Sequence, residues 1–127
     1  MIMNNWQDKT IVVVDDIEIN YILIKKQLQK TNATTIWLKN GQESVDYIKS
    51  NKEVDLILMD IRMPVMNGLE ATKQIKRIDS NIPIIIQTAY VVGEEYDSIN
   101  ESGCDDYFFK PILAKELYEK LEKQFLK

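Results

Sequence analysis

The chain reads as an α/β protein, a parallel β-sheet covered by helices on both faces and built from five βα units. Three observations predict this. Apolar runs of strand length alternate with segments whose apolar residues recur at helical spacing. The runs are apolar nearly throughout, as strands buried on both sides must be. The 127 residues, 45% of them hydrophobic and 28% charged, suit one domain over 1–127 with one core. No linker, low-complexity tract or repeat beyond the βα period interrupts it.

The first unit joins Ile11–Val14 to a helix with Ile17, Tyr21, Ile24 and Leu28 on its inner face, leaving Glu18, Lys25, Lys26 and Lys30 in water. The second joins Thr34–Leu38 to a helix from Gly41 to Ile48, and its strand exit, Lys39-Asn40, offers no obvious chemistry. The third runs from Asp55–Met59 through a loop holding Pro64 and Asn67-Gly68 into a helix that buries Ala71, Ile75 and Ile78. The fourth takes Ile82–Gln87 into a helix facing inward with Val92, Tyr96 and Ile99, where Gly103 is placed to stop the helix in a left-handed conformation. The fifth joins Asp106–Phe109 to Leu117, Leu121 and Phe125. Right-handed crossovers gather the carboxyl ends of such strands at one edge, where open α/β sheets bind ligands.

Bulk composition excludes several functions. A net charge of -4 argues against nucleic acid, which is bound by clustered Lys and Arg. The chain has no histidine, so imidazole catalysis, histidine metal sites and phosphohistidine must come from a partner. Cys104 is alone and reads as a small apolar residue. Met1–Asn5 lacks a basic segment followed by an apolar one, so a cytoplasmic setting is expected. No apolar run approaches the roughly 18 residues of a membrane span, so no membrane contact is expected either.

The strand exits carry the chemistry. Ile11–Val14 stops at Asp15-Asp16, Leu56–Met59 at Asp60, Ile84–Ile86 at Gln87-Thr88, and Tyr107–Phe109 at Lys110-Pro111. Gathered carboxylates repel one another unless a cation compensates, and Mg2+ prefers oxygen ligands, so Asp15, Asp16 and Asp60 predict a metal site. Asp60 ends the central run, where a rigid strand aims it, and is the nucleophile candidate. Phosphoryl transfer asks mainly for positioning and charge neutralisation, which a cation plus Lys110 supply. Pro111 stiffens the exit after Lys110 and can take a cis peptide. Thr88 can hydrogen-bond a phosphoryl oxygen, Ala89 leaves room for it, and Tyr107 can turn as Thr88 moves. For Thr88 and Tyr107, simple strand packing explains the residue about equally well.

At these residues the chain resembles the receiver domain of two-component response regulators over essentially its whole length. Asp15-Asp16, Asp60-Ile61-Arg62-Met63-Pro64-Val65-Met66-Asn67-Gly68, Thr88-Ala89 and Lys110-Pro111 stand in the family's order and at its separations. The resemblance implies a flavodoxin-like, doubly wound sheet of order 2-1-3-4-5 with five helices. It implies that Asp60 accepts phosphate from the phosphohistidine of a histidine kinase or histidine phosphotransfer domain. Mg2+, with Mn2+ as a substitute, is then held by Asp16, Asp60 and the backbone carbonyl of Arg62, with Asp15 assisting through water. Lys110 and Thr88 contact the phosphoryl group, and Thr88 with Tyr107 form the switch pair.

The implied output surface, also a candidate dimer surface, is the face of the fourth helix, fifth strand and fifth helix, whose Glu94, Glu95, Asp97 and Glu101 suit a basic partner. Arg62 and Tyr90 occupy positions that tune kinetics in the family, and their bulk implies slow autodephosphorylation. Asn67 stands where many receivers have Asp and still serves as a helix cap. Asp16-Ile17-Glu18-Ile19-Asn20 and Gln87-Thr88-Ala89-Tyr90 look more like receivers of hybrid histidine kinases than free-standing regulators. Such a domain is a signalling module that promotes its own phosphorylation and dephosphorylation, not an enzyme acting on outside substrates.

Three other readings compete. An aspartyl-phosphate-forming phosphatase needs a second Asp two residues after its nucleophile, where this chain has Arg62. A flavin or dinucleotide binder needs a glycine cluster after the first strand, and only four glycines occur in the chain. A receiver-like module that is never phosphorylated has no need of the full set Asp15, Asp16, Asp60, Thr88 and Lys110.

Overall fold

A computed structural model describes residues 4–50, 52–89 and 93–127. Tyr90 and Val92 lie outside the described residues, as does the side chain of Glu94. The elements follow one another as β1 (Thr10–Val14), α1 (Glu18–Leu28), β2 (Thr34–Leu38), α2 (Gly41–Lys49), β3 (Leu56–Asp60), α3 (Gly68–Ile78), β4 (Ile84–Thr88), α4 (Gly93–Glu101), β5 (Asp106–Phe109) and α5 (Ala114–Phe125), with a 3-10 turn over Gln29–Thr31. All neighbouring strands pair in parallel, in the order β2-β1-β3-β4-β5. The central strands β3 and β4 are buried along their whole length, whereas β2 and β5 form the edges.

Side-chain alternation along the strands divides the interior. Ile11 and Val13 of β1, with Leu56 and Leu58 of β3, pack toward Ile24 and Leu28 of α1 and Leu117 and Leu121 of α5. Val12 and Val14, with Ile57 and Met59, pack toward Val45 and Ile48 of α2, Ala71 and Ile75 of α3 and Ile99 of α4. The expected single core is thus two clusters, one on each face of the sheet. Burying an aliphatic side chain of this kind contributes roughly 1.5–3 kcal/mol.

Local signals fix the helix ends. Asn67 caps α3 by accepting from the Glu70 N–H at 2.9 Å, and Asn40 caps α2 by accepting from the Glu43 N–H at 2.9 Å. The Glu43 carboxylate reaches back to the Lys39 N–H at 2.9 Å, completing a reciprocal cap at the strand exit that looked chemically empty. Gly103 follows α4 with φ of +87°, the left-handed stop its position called for.

Three inward assignments are corrected. Ile17 is 51% exposed because it precedes α1 as an extended residue (φ −108°, ψ 112°) and so leaves the helical stripe. Ile78 ends α3, is followed by extended backbone at Asp79, and is 44% exposed. Tyr96 is 38% exposed, its ring resting edge-on against Tyr107 of the edge strand β5.

Candidate functional site

The exits of β1 and β3 bring the acidic residues together. One carboxylate oxygen from each of Asp15, Asp16 and Asp60 lies within 4.8 Å of the other two. Asp15 is fully buried, Asp60 is 8% exposed, and Asp16 faces solvent. The exit of β5 adds Lys110, whose Nζ is 2.9 Å from Asp15 Oδ2 and 3.3 Å from Asp60 Oδ2. The Lys110 N–H donates to the Thr88 carbonyl at 2.8 Å, and the Lys110-Pro111 peptide is cis.

Each carboxylate is held by identifiable donors. Asp15 Oδ1 accepts from the Ile17 N–H at 2.9 Å and from Asn20 Nδ2 at 3.3 Å, while its Oδ2 accepts from Lys110. The Asp15 carbonyl accepts from Trp37 Nε1 at 2.8 Å. Asp60 Oδ1 accepts from the Ile61 N–H at 2.9 Å. Burial pushes the Asp60 carboxyl above the usual carboxylate range and the nearby Asp15 charge adds to this; the Lys110 ammonium and the Ile61 N–H pull against it without cancelling it.

Three carboxylates against one ammonium leave surplus negative charge among oxygen donors. A hard divalent cation relieves that surplus, so the residues present fit Mg2+. The cleft over the cluster has a volume of about 460 Å³ and is lined by Asp16, Asp60, Thr88, Ala89 and Lys110, with Arg62, Ile17, Asn20 and Pro111 at its walls.

Thr88 is buried at the end of β4, and Ala89 beside it is exposed at the cleft. Tyr107 does not line the cleft. Its ring packs edge-on between Tyr96 and Phe109, and the register pairs Tyr107 with Ile86 and Phe109 with Thr88, so Thr88 and Tyr107 share a face of the sheet. Arg62 reaches the rim, where its guanidinium forms an ion pair with Glu95 of α4.

Sequence reasoning missed Asn20, Glu95 and Trp37 as neighbours of the site. Asn20 was detectable, since it lies four residues after Asp16 in the first turn of α1, where side chains stack over the helix start. The other two depend on contacts between elements that no local spacing reveals.

Comparison with known proteins agrees with this geometry. The sequence profile of the response regulator receiver domain matches residues 11–122. The chain is similar to the hybrid signal transduction histidine kinase I of Dictyostelium discoideum, 39% identical over 125 residues, which are 92% of this chain and 7% of that much longer protein. It is also 34% identical over 116 residues to the polar-differentiation response regulator DivK of Brucella anthropi, covering 90% of this chain and 94% of DivK.

Among solved structures, the receiver domain of a sensor histidine kinase from Pseudomonas aeruginosa, with a magnesium ion coordinated in its active-site cleft, superposes with a TM-score of 0.86 at 27% identity, covering 94% of this chain and 98% of that one. With the sheet order, the acidic edge and a matched span from the first strand into the last helix, the chain belongs to the response regulator receiver domain family of two-component signalling.

Proposed function

We propose that this domain is a Mg2+-dependent phosphoacceptor in which Asp60 takes a phosphoryl group from a phosphohistidine on a partner kinase or phosphotransfer domain. The observation that carries the reading is Lys110 Nζ set between Asp15 Oδ2 and Asp60 Oδ2 above a three-carboxylate cluster. An Asp60 carboxylate oxygen attacks phosphorus as the bond from phosphorus to the imidazole nitrogen breaks, giving an acyl phosphate and a neutral histidine on the partner. Asp16, Asp60 and the Arg62 carbonyl, with Asp15 assisting through water, would hold the metal, which would supply neutralisation of the phosphoryl oxygens. Lys110 supplies the second positive charge. Thr88, at the same edge, donates a hydrogen bond to a phosphoryl oxygen, and Ala89 leaves space for it.

Removing Thr88 from its unmodified surroundings biases the Tyr107 ring and with it the surface of α4, β5 and α5, the output and dimer face in this reading. Arg62 on the rim screens the acyl phosphate from water and slows its hydrolysis. The higher identity to the hybrid kinase favours a receiver from a hybrid histidine kinase over a stand-alone regulator, acting in the cytoplasm. Among the described residues no helix is long and apolar enough to cross a membrane.

The test is incubation with acetyl phosphate and Mg2+ followed by intact-mass spectrometry. One hydroxylamine-sensitive phosphoryl adduct is expected on the wild type and none on Asp60→Asn. An equal adduct on the variant would refute the assignment of Asp60.

A further inference from the structure

We propose that Trp37, on the edge strand β2, is a positioning residue that sets the orientation of the Asp15-Asp16 peptide and thereby the metal affinity of the site. This rests on the Mg2+-dependent reading above. Asp15 is held by β2 at both ends of its backbone: its N–H donates to the Leu38 carbonyl at 3.0 Å, and its carbonyl accepts from Trp37 Nε1 at 2.8 Å. Asp15 is fully buried with the indole in place, so its carbonyl depends on Trp37 Nε1 for a partner. The peptide so clamped joins the buried acid that meets Lys110 to the exposed acid that faces the cleft. Rotation of that peptide plane would swing the Asp16 carboxylate relative to Asp60.

The indole is itself immobilised. It stacks on Tyr21 of α1 with centroids 5.6 Å apart and planes 6° from parallel, and Lys39 Nζ lies 5.3 Å from its centroid. Tyr21 is tied in turn to β2, its hydroxyl 3.0 Å from Thr35 Oγ1. The donor aimed at Asp15 is therefore fixed by contacts outside the cleft, as groups that orient ligand-bearing residues generally are. The second tryptophan, Trp6, packs in the cluster beneath α5 against Tyr118 and Phe125, so only Trp37 reports on the acidic turn.

The experiment measures Mg2+ affinity by isothermal titration calorimetry without phosphodonor. Trp37→Phe keeps a ring for Tyr21 to stack on and deletes the N–H. Its dissociation constant is expected to rise about three- to tenfold, the scale of the net contribution of one hydrogen bond. Tyr21→Phe, which loses a hydrogen bond between the same two elements but leaves the Asp15 carbonyl paired, is the control and is expected to bind within about twofold of wild type. In a Trp6→Phe background, Mg2+ should also shift the emission of Trp37. Unchanged affinity in Trp37→Phe, or an equal loss in Tyr21→Phe, overturns the proposal. A wild type that fails to bind Mg2+ at all instead overturns the metal-dependent reading on which it rests.

Discussion

Asp60 occupies a place that is useful for chemistry and costly for the fold. Its carboxyl is held above the usual range mainly by burial, so the folded protein binds its proton more tightly than the unfolded chain does. The sign follows directly. Any stability from that preference is fully present below the unfolded value of about 3.9 and is lost as pH rises through the higher folded value. Without metal, Asp60 therefore contributes less to stability at high pH than at low pH. Asp60→Asn keeps an acceptor for the Ile61 N–H and leaves Lys110 its partner Asp15. The variant is expected to melt above the wild type at pH 7 in EDTA, with the gap narrowing toward pH 4. Calorimetric scans at the two pH values check this, and a wild type that is the more stable at pH 7 would contradict it.

The elements owe their placement at the site to a few close approaches. A Cβ added to Gly68 would lie 1.7 Å from the Asp60 carbonyl oxygen, so the start of α3 sits directly on the backbone of Asp60. Gly68→Ala is expected to destabilise the domain by at least about 3 kcal/mol, read from urea unfolding, and to reduce adduct formation at Asp60 because the strand end must move. The preceding loop is also constrained. Val65 has φ of +70°, the Met66 N–H donates to the Pro64 carbonyl at 2.8 Å, and the Gly41 N–H donates to the Met66 carbonyl at 3.0 Å. The loop after Asp60 is thereby tied to the start of α2 as well as to α3.

Much of this was legible at the level of elements. The apolar runs located β1 to β5 to within about two residues, since a strand covered on both faces leaves a continuous apolar signature that surface residues do not blur. Asp15, Asp16, Asp60 and Lys110 were legible because parallel strands share an edge, so strand-exit residues converge whatever the details of register. Trp37 was not. Its role exists only because β2 pairs with β1 so that Trp37 faces Val13 and Leu38 faces Val14, placing the indole beside the next carbonyl. Ile17 misled in the opposite direction, since helical spacing continues on paper past the point where the backbone has become extended.

At the scale of the whole molecule, metal and fold are linked. A cation that binds only the folded state stabilises it by about 2.7 kcal/mol at a free concentration of roughly one hundred times Kd. For a domain of this size that is a rise of several degrees in Tm. Such a rise with Mg2+ is expected for the wild type and not for Asp16→Asn, whose exposed side chain leaves the apolar clusters untouched. Thermal melts with and without Mg2+ measure it, and an equal rise in the variant would remove Asp16 from the ligand set.

Lys110 offers one ammonium to two anions, and the deeper of them, Asp15, has no exposure to water. Whatever draws that ammonium outward leaves an interior charge without its counter-ion. In the phosphoacceptor reading, a phosphoryl group on Asp60 would compete with Asp15 for that ammonium, and its loss would return the lysine to the inner acid.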